Sequence, residues 1–519
     1  MANPRNKGIS LAEYFFAIMS LFSVVTFFLN ATGAGGVHDN ISSSSSVSGS
    51  VTTAAVGLHA SLSTSKTSFE SMVADTTSIP SDPNYSLAGL SCDAFGGPSP
   101  ANSREMVYWE DIPSDNKHAS PYRKLGVGQY LTFEPDKGGF NNIRMAMETV
   151  LALAFAMGRT LVLPPEQPMY LLSKKQNDVK GGKQQRTAFS FNHFFHMEAI
   201  HNEHTGLDII TMKEFLETEA MTGHLVDSVS GKASFPPGNR TAWDGAKTAD
   251  VAELFGWLRT TSYLAVWDPD ECLAVFPGTS DPHDIEELEA MRDTILLDEP
   301  RFEDFIGKPT PVDAPAMDRM RENWAGRKKL CIYDGKMQAA PLVHFPVNPK
   351  MHARLLVHFY ALLFFQDWKQ DLWMKRFIRD HVRYVDEIQC AAARVVHAIR
   401  QRARKRDPIG NPDGLFDSFH VRRGDFQYKK TRVSAAEIYE QSKKVLAENA
   451  TVYIATDERY KKFFDDMAKH YDLVFLDDVL LALGDVNTNY YGMIDQLIAS
   501  RGRNFFGCWF STFTVSLYD

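Results

Sequence analysis

Basic charge is in short supply in this chain. There are 55 lysines and arginines against 64 aspartates and glutamates, which gives a formal charge of -9 and an isoelectric point near 6.0. That balance excludes the broad cationic field on which nucleic-acid binding depends, so any anion must be held at a local site. The basic run RQRARKR, Arg400 to Arg406, reads as a solvated helix end rather than a nucleic-acid patch. Cysteine is scarce as well. Cys92, Cys272, Cys331, Cys390 and Cys508 include no CxxC pair and no zinc spacing. Their odd number allows at most two disulfides within the chain, and no pairing can be deduced. No repeat of fixed period is visible.

Long apolar runs are also rare, and the main one is N-terminal. Arg5 and Lys7 precede a stretch from Ile9 to Leu29 that is interrupted by Glu13 and a few hydroxyl residues. About 20 such residues can cross a bilayer as a helix, and a positive flank favours a cytosolic N-terminus. The expectation is a cytosolic tail over residues 1–8 and a transmembrane signal anchor over 9–29. A cleaved signal peptide is the rival reading, because NATGA at Asn30 is a small-residue stretch. Both readings send the rest of the chain into the secretory pathway. Residues 30–105 are rich in Ser, Thr, Gly and Ala and poor in large apolar side chains, so they read as a disordered stalk. Sequons at Asn30, Asn40, Asn84, Asn239 and Asn449 are compatible with a lumenal location.

The whole chain of 519 residues is 44% hydrophobic and 23% charged, enough to bury a large core and to divide into domains. QYLTF at Gln129 to Phe133 is a predicted strand. Ile143, Ala146, Met147, Val150 and Ala154 then recur at helical steps, and TLVLP follows at Thr160 to Pro164. Strand, helix and strand in that order predict a parallel α/β sheet. Further strands are expected at Lys329 to Tyr333, Phe416 to Val421, Val452 to Ala455 and Leu473 to Leu476. A helical stretch is expected from about Met351 to Arg404, in which LLVHFYALLFF is too short and too polar for a second span and reads as a buried core helix. The expected domains are residues 106–345, and residues 346–519 with connecting helices.

Three stretches could carry chemistry. KGGFNN, Lys137 to Asn142, lies where a strand turns into a helix; its glycines let backbone approach a ligand. Taken alone, it is more simply a tight turn with Asn141 as cap. HVRRGDF, His420 to Phe426, follows a predicted strand whose end lies where open α/β sheets bind ligands. Alternation places His420 and Arg422 on one face and Arg423 on the other, so Arg422 can reach a cleft while Arg423 pairs with a carboxylate such as Asp425. Arg423, Gly424 and Asp425 also spell an adhesion tripeptide. FFGCWFSTFT, Phe505 to Thr514, ends a buried strand and supplies the hydroxyls of Ser511 and Thr512 for capping or for a phosphate.

GGFNN, HVRRGDF, TDE at Thr456 to Glu458, IDQLIAS at Ile494 to Ser500 and STFT occur in one order. In that order the chain resembles the GDP-fucose protein O-fucosyltransferase family from about Gln129 to Thr514. The resemblance implies a GT-B enzyme, two Rossmann-like domains facing across a cleft, that transfers fucose from GDP-fucose with inversion and without a metal or other cofactor. By the same resemblance Arg422 is the catalytic contact to the diphosphate and His420 lies against the nucleotide. Asp495 reads the guanine edge, Ser511, Thr512 and Phe513 form the phosphate turn, and Gly139 and Asn141 close over the phosphates. Two departures stand out. The branch that modifies thrombospondin-type repeats has a glutamate where Gly138 stands, which leaves Glu134 and Asp136 as guesses for a base. After Thr514 only VSLYD remains, where the family continues with a helix, so residues 346–519 are read as a GDP-fucose-binding domain that could be truncated.

Two rival stretches have simpler readings. WDPDE, Trp267 to Glu271, contains Asp-x-Asp but has Pro269 at its centre, which suggests a turn. His193, His196, His201 and His204 sit among Phe191, Phe194 and Phe195, which suggests packed structural histidines rather than zinc ligands. The expectation is therefore a single-pass type II protein of the endoplasmic reticulum or Golgi with a lumenal catalytic domain. Its partners would be GDP-fucose, a protein or glycan acceptor and the membrane, without nucleic acid. The alternatives are a catalytically silent nucleotide-sugar binder, a fucosyltransferase acting on a glycan, and an adhesion protein.

Overall fold

In the computed structural model, residues 90–99, 103, 106, 115–169, 172, 188–203, 206–226, 230–234, 248–279, 281–298, 300, 304, 310–324, 327–348, 350, 353–424, 432–508 and 511–515 are described. The anchor over 9–29, most of the stalk, four of the five sequons and Asp425 lie outside them. Among the described residues no helix is long and apolar enough to cross a membrane. The chain forms two compact units. The larger spans Asp111–Val385, and the smaller combines residues up to Glu110 with Asp386–Asp519.

The larger unit is built on parallel sheets. Strands β1 (Tyr130–Phe133), β2 (Thr160–Leu163), β3 (Ile209–Thr211), β4 (Tyr263–Leu264) and β7 (Leu342–Phe345) form one sheet in the order β3-β2-β1-β7-β4. Strands β5 (Cys272–Phe276), β6 (Lys329–Ile332) and β8 (Leu363–Phe365) form a second in the order β6-β5-β8. Helix α1 (Phe140–Ala156) links β1 to β2, so the expected strand-helix-strand unit is present. Continuous apolar strands such as CLAVF, buried at all five positions, are what a parallel sheet covered on both faces requires.

LLVHFYALLFF departs from the expected core helix. Only Phe359–Leu362 is helical, and Leu363–Phe365 is β8, which pairs in parallel with β5. A short apolar run satisfies helix and strand alike; here the open edge of β5 supplies backbone partners that only an extended chain can use. Helices α4 (Trp368–His381) and α5 (Asp386–Arg406) follow, and α2 (Thr248–Thr261) and α3 (Pro282–Asp298) precede them. The segment 346–385, grouped from the sequence with the C-terminal half, packs within the larger unit.

The smaller unit has one parallel sheet, β9 (Asp417–Val421), β10 (Thr451–Thr456), β11 (Asp472–Val474) and β12 (Phe505–Phe506), in the order β11-β10-β9-β12. Phe419, Val421, Val452 and Ile454 on one face pack against Ala435 and Ile438 of helix α6 (Ala435–Ser442). Helix α7 (Tyr491–Ala499) packs against β9 and β10, and the Ser418 hydroxyl donates to the Ala499 carbonyl at 2.6 Å. The basic run ends α5 with defined partners: Arg402 and Arg406 both reach Asp472, at 2.6 and 3.3 Å. β12 is a half-buried edge strand rather than the buried strand expected.

Disulfides join Cys92 to Cys390 in the smaller unit and Cys272 to Cys331 across β5 and β6 in the larger; Cys508 is a buried free thiol. Arg159, at the start of β2, is 0% exposed. It donates to the carbonyls of Met337 (2.6 Å) and Ala340 (2.8 Å) and to the Tyr333 hydroxyl (3.1 Å). Gly158 before it has φ +66, and a Cβ there would lie 2.4 Å from the Arg123 backbone nitrogen, so the turn admits only glycine. Replacing Arg159 with methionine keeps bulk but strands buried acceptors. The Arg159→Met protein should lose about 3–5 kcal/mol of unfolding free energy in urea; a loss below about 1 kcal/mol would contradict this role.

Candidate active site at the strand ends

β9 and β10 lie side by side in parallel, with Val421 opposite Thr456, so the residues that follow each strand meet at one edge of the sheet. There Asp457 clasps the end of β9. Its carboxylate accepts the backbone N–H of Arg423 (2.7 Å) and of Gly424 (2.9 Å) and pairs with the Arg422 guanidinium (2.7 Å). The Thr456 hydroxyl donates to the Val421 carbonyl at 2.6 Å and closes the same junction. A Cβ on Gly424 would sit 2.4 Å from Asp457 Oδ2, so the glycine in RRGD is needed for close approach of the carboxylate.

The two arginines take separate acidic partners from the end of β10. Arg423 pairs with Glu458 (3.0 Å), donates to the Val433 carbonyl (3.2 Å) and stacks over the Phe463 ring at 3.8 Å. The Tyr460 backbone N–H and then Arg423 hold the Glu458 carboxyl below the usual carboxylate range. Arg423 is thus anchored through Glu458, while Asp425 lies outside the described residues. Arg422 is held at the sheet edge by Asp457, with its side chain about a third exposed.

Behind Arg422, His420 is buried and stacks on Phe513 with centroids 4.1 Å apart. Its Nδ1 lies 2.7 Å from Thr514 Oγ1, which also accepts the Cys508 backbone N–H at 3.0 Å. Burial, and secondarily the Arg422 charge, push the imidazole down to about 3, so it is neutral at physiological pH. The sequence reading laid His420 against a nucleotide; its ring contact here is Phe513. Ser511 is buried, and Thr512 begins the short helix α8 (Thr512–Val515). The Gln496 side chain donates to the Phe513 carbonyl at 3.1 Å and ties this turn to α7. Next to Gln496, Asp495 accepts a hydrogen bond from the Tyr453 hydroxyl of β10. Burial, aided by the Asp477 charge and opposed by the Tyr453 bond, raises the Asp495 carboxyl to about 7. His420, Arg422, Asp495, Ser511, Thr512 and Phe513 therefore share the smaller unit. Asp457, Tyr453 and Thr514 complete their contacts and had no assigned role; TDE, following a predicted strand, was the available signal.

Gly139 and Asn141 lie in the larger unit. Gly139, not Asn141, is the N-terminal cap of α1; it is extended, and its carbonyl accepts the N–H of Asn142 and Ile143. Space is open above Gly139, whereas a Cβ on Gly138 would lie 2.6 Å from Asn142 Nδ2 and 2.8 Å from Asp136 Oδ1. A side chain at position 138, such as the glutamate that one branch of the resembled family has there, would require the Asn142 and Asp136 side chains to shift.

Both carboxylates considered as bases are clamped. Arg259 of α2 grips Glu134 through two hydrogen bonds (2.6 and 2.5 Å), and His344 of β7 adds a third contact at 3.2 Å. Burial alone would raise the Glu134 carboxyl, but His344 and Arg259 outweigh it and hold the group below its usual range. Arg354 binds Asp136 through both guanidinium edge nitrogens, and the Gly138 N–H adds a bond at 2.6 Å. Glu134, held below its usual range, is therefore a poor proton acceptor.

At the two rival stretches the described side chains have local partners. Asp268 accepts the Asp270 N–H within a turn, and Glu271 pairs with Lys328. Phe191, Phe194 and Phe195 are core residues, and His193 Nδ1 accepts the Ser190 N–H; His204 and the His201 side chain lie outside the described residues. Among the described residues the one metal-like group is His283, Asp284 and Glu287 on α3, where Asp284 already accepts both the N–H and hydroxyl of Thr279. The Asp457 clasp is testable by itself. Asp457→Ala leaves two backbone donors and a guanidinium without their acceptor, and should cost about 2–4 kcal/mol in urea unfolding; a change within about 0.5 kcal/mol would rule out the clasp.

The profile of the family described as GDP-fucose protein O-fucosyltransferase matches residues 130–518. No curated protein matches the chain. Among solved structures the chain is similar to POFUT1 in complex with GDP, at 14% identity over 77% of this chain and 94% of that chain, with TM-score 0.31. It is similar to POFUT1 in complex with GDP-fucose at 14% identity, 77% and 95% coverage and TM-score 0.31. It is also similar to fucosyltransferase NodZ from Bradyrhizobium at 13% identity, 76% and 92% coverage and TM-score 0.32. With a match that runs across both units, the chain belongs to the GDP-fucose protein O-fucosyltransferase family and is a GDP-fucose-dependent glycosyltransferase.

Proposed function

We propose that this protein transfers fucose from GDP-fucose, with inversion and in a GT-B arrangement, to the hydroxyl of a protein Ser or Thr. The observation that carries the reading is the Asp457 clasp, which fixes Arg422 at the C-terminal edge of the sheet with neutral His420 behind it. As the bond from fucose to GDP breaks, negative charge builds on the diphosphate, and a guanidinium fixed beforehand stabilises that charge without reorganisation. Ser511 and Thr512 are the hydroxyl donors of the phosphate turn, and Phe513, packed on His420, holds that turn in place. Asp495 accepts from the two N–H donors of the guanine edge, which requires its ionised form. For Gly139 and Asn141 the support is local: the open space above Gly139 lets a phosphate approach backbone. No step in this scheme needs a metal. We further propose a lumenal location in the endoplasmic reticulum or Golgi behind an anchor at residues 9–29, a reading that the two disulfides favour.

One observation favours a second reading. With glycine at position 138 and with Glu134 and Asp136 clamped, no side chain has an assigned role as base, as in a catalytically silent binder of the nucleotide sugar. Acceptor-dependent release of GDP from GDP-fucose supports the enzyme; tight GDP binding without turnover supports the silent binder.

Two outcomes test the donor site. GDP, but not UDP or CMP, should raise the melting temperature, and Arg422→Ala should lower turnover at least about a hundredfold, on the order of 3 kcal/mol. A response to UDP alone, or undiminished turnover, overturns the assignment. Asp495 makes the second test. Its carboxyl titrates near 7, so donor binding must expel a proton at lower pH. The KM for GDP-fucose should rise as pH falls below 7, by roughly tenfold per unit in the acid limb, and Asp495→Asn should flatten that dependence. In the absence of donor the sign is opposite: a raised carboxyl contributes stability at acid pH that is lost as pH rises through about 7. A KM independent of pH in the parent protein would exclude Asp495 from the guanine edge.

A further inference from the structure

Of the five sequons, Asn449-Ala-Thr451 alone lies among the described residues. Asn449 is exposed in the turn between α6 and β10 with φ +62, a left-handed conformation that asparagine tolerates better than most residues. Its backbone N–H donates to the His470 carbonyl at 2.7 Å, which pins the turn. The hydroxyl residue of the sequon is placed differently. Thr451 is the first residue of β10, an interior strand, and is buried with its Oγ1 donating to Asp472 at 3.2 Å. In the folded sheet Asn449 faces solvent while the hydroxyl that identifies it is hidden.

We infer that Asn449 is an N-glycosylation site, modified before the smaller unit's sheet forms; the inference rests on the lumenal location proposed above. The reaction forms a bond from Asn449 Nδ2 to the anomeric carbon of an oligosaccharide and breaks that carbon's bond to a lipid diphosphate. The amide proton and the lipid diphosphate depart. An acceptor sequon must be read in an extended, accessible chain, and pairing of Thr451 with Asp472 removes that access. Once the sheet forms, the glycan projects from the turn without displacing core. Six residues of β10 then separate it from Asp457, about 20 Å of strand, so it stands clear of the donor site.

The full chain, expressed in a secretory eukaryotic cell, tests this through the tryptic peptide Val445 to Arg459. The peptide should carry a glycan, Asn449→Asp should abolish it with turnover unchanged, and folded unmodified protein added to glycosylating microsomes should remain unmodified. An unmodified peptide on molecules glycosylated at another sequon would overturn the inference. If the native chain carries no glycan anywhere, residues 1–29 are replaced by a cleavable signal peptide. Modification of Asn449 in that protein means that the location failed and the site stands; its absence means that the site fails. Modification of the folded protein by microsomes would refute the proposed order of events.

Discussion

The candidate site depends on one carboxylate. Asp457 ends β10 and binds two backbone N–H groups and one guanidinium of the segment that ends β9. Backbone donors fix where the chain leaves the sheet, and the guanidinium fixes where Arg422 points. One anion thus sets the direction of the loop and the position of the charge it displays. The neighbouring Glu458 does the same for Arg423, with Phe463 as its floor, so the adjacent arginines draw on separate partners and do not compete. Behind them the desolvated His420 contributes shape rather than charge, which leaves the cationic character of this edge to arginine.

The larger unit applies the same chemistry to another purpose. Glu134 and Asp136, just beyond β1, are each gripped by an arginine from a distant segment, Arg259 and Arg354. Pairs of this kind fasten the approach to KGGFNN to α2 and to the segment beyond β7. Arg159 shows the neutral variant, a buried guanidinium satisfied by carbonyls and a phenol. Such groups contribute less to net stability than to a unique arrangement, because every competing arrangement would leave a buried charge or carbonyl unmatched.

How much of this was legible follows from the range of each interaction. The β1-α1-β2 unit and strands β9 and β10 are written in local periodicity, and they emerged within a residue or two of their limits. LLVHFYALLFF did not, since its end is extended only because β5 lies beside it. β5 and β7 are not legible in the same way, because CLAVF and LVHF are buried throughout and short buried strands carry no alternation to read. At the site, the residue types and the divergence of Arg422 from Arg423 were accessible from the motif. Their partners were not: Glu458 lies 35 positions from Arg423, and only the parallel register of β9 and β10 brings them together. The clamping of Glu134 and Asp136 was likewise invisible, because Arg259 and Arg354 stand 125 and 218 positions away.

The bond between Cys92 and Cys390 closes a loop of 298 residues that contains the whole of the larger unit. The smaller unit is therefore begun early in synthesis and finished last. Ser91 and Phe95 bond to Asp386 and Arg394, residues that leave the ribosome long after them. Meanwhile Cys272 and Cys331, 59 residues apart, meet within the continuous unit while Cys92 still waits for its partner. For that interval the chain holds an unpaired thiol near its start beside a nearly complete domain. The parallel pairing of β5 with β6 sets Cys272 beside Cys331, so the finished larger unit offers Cys92 neither of them and leaves it to Cys390.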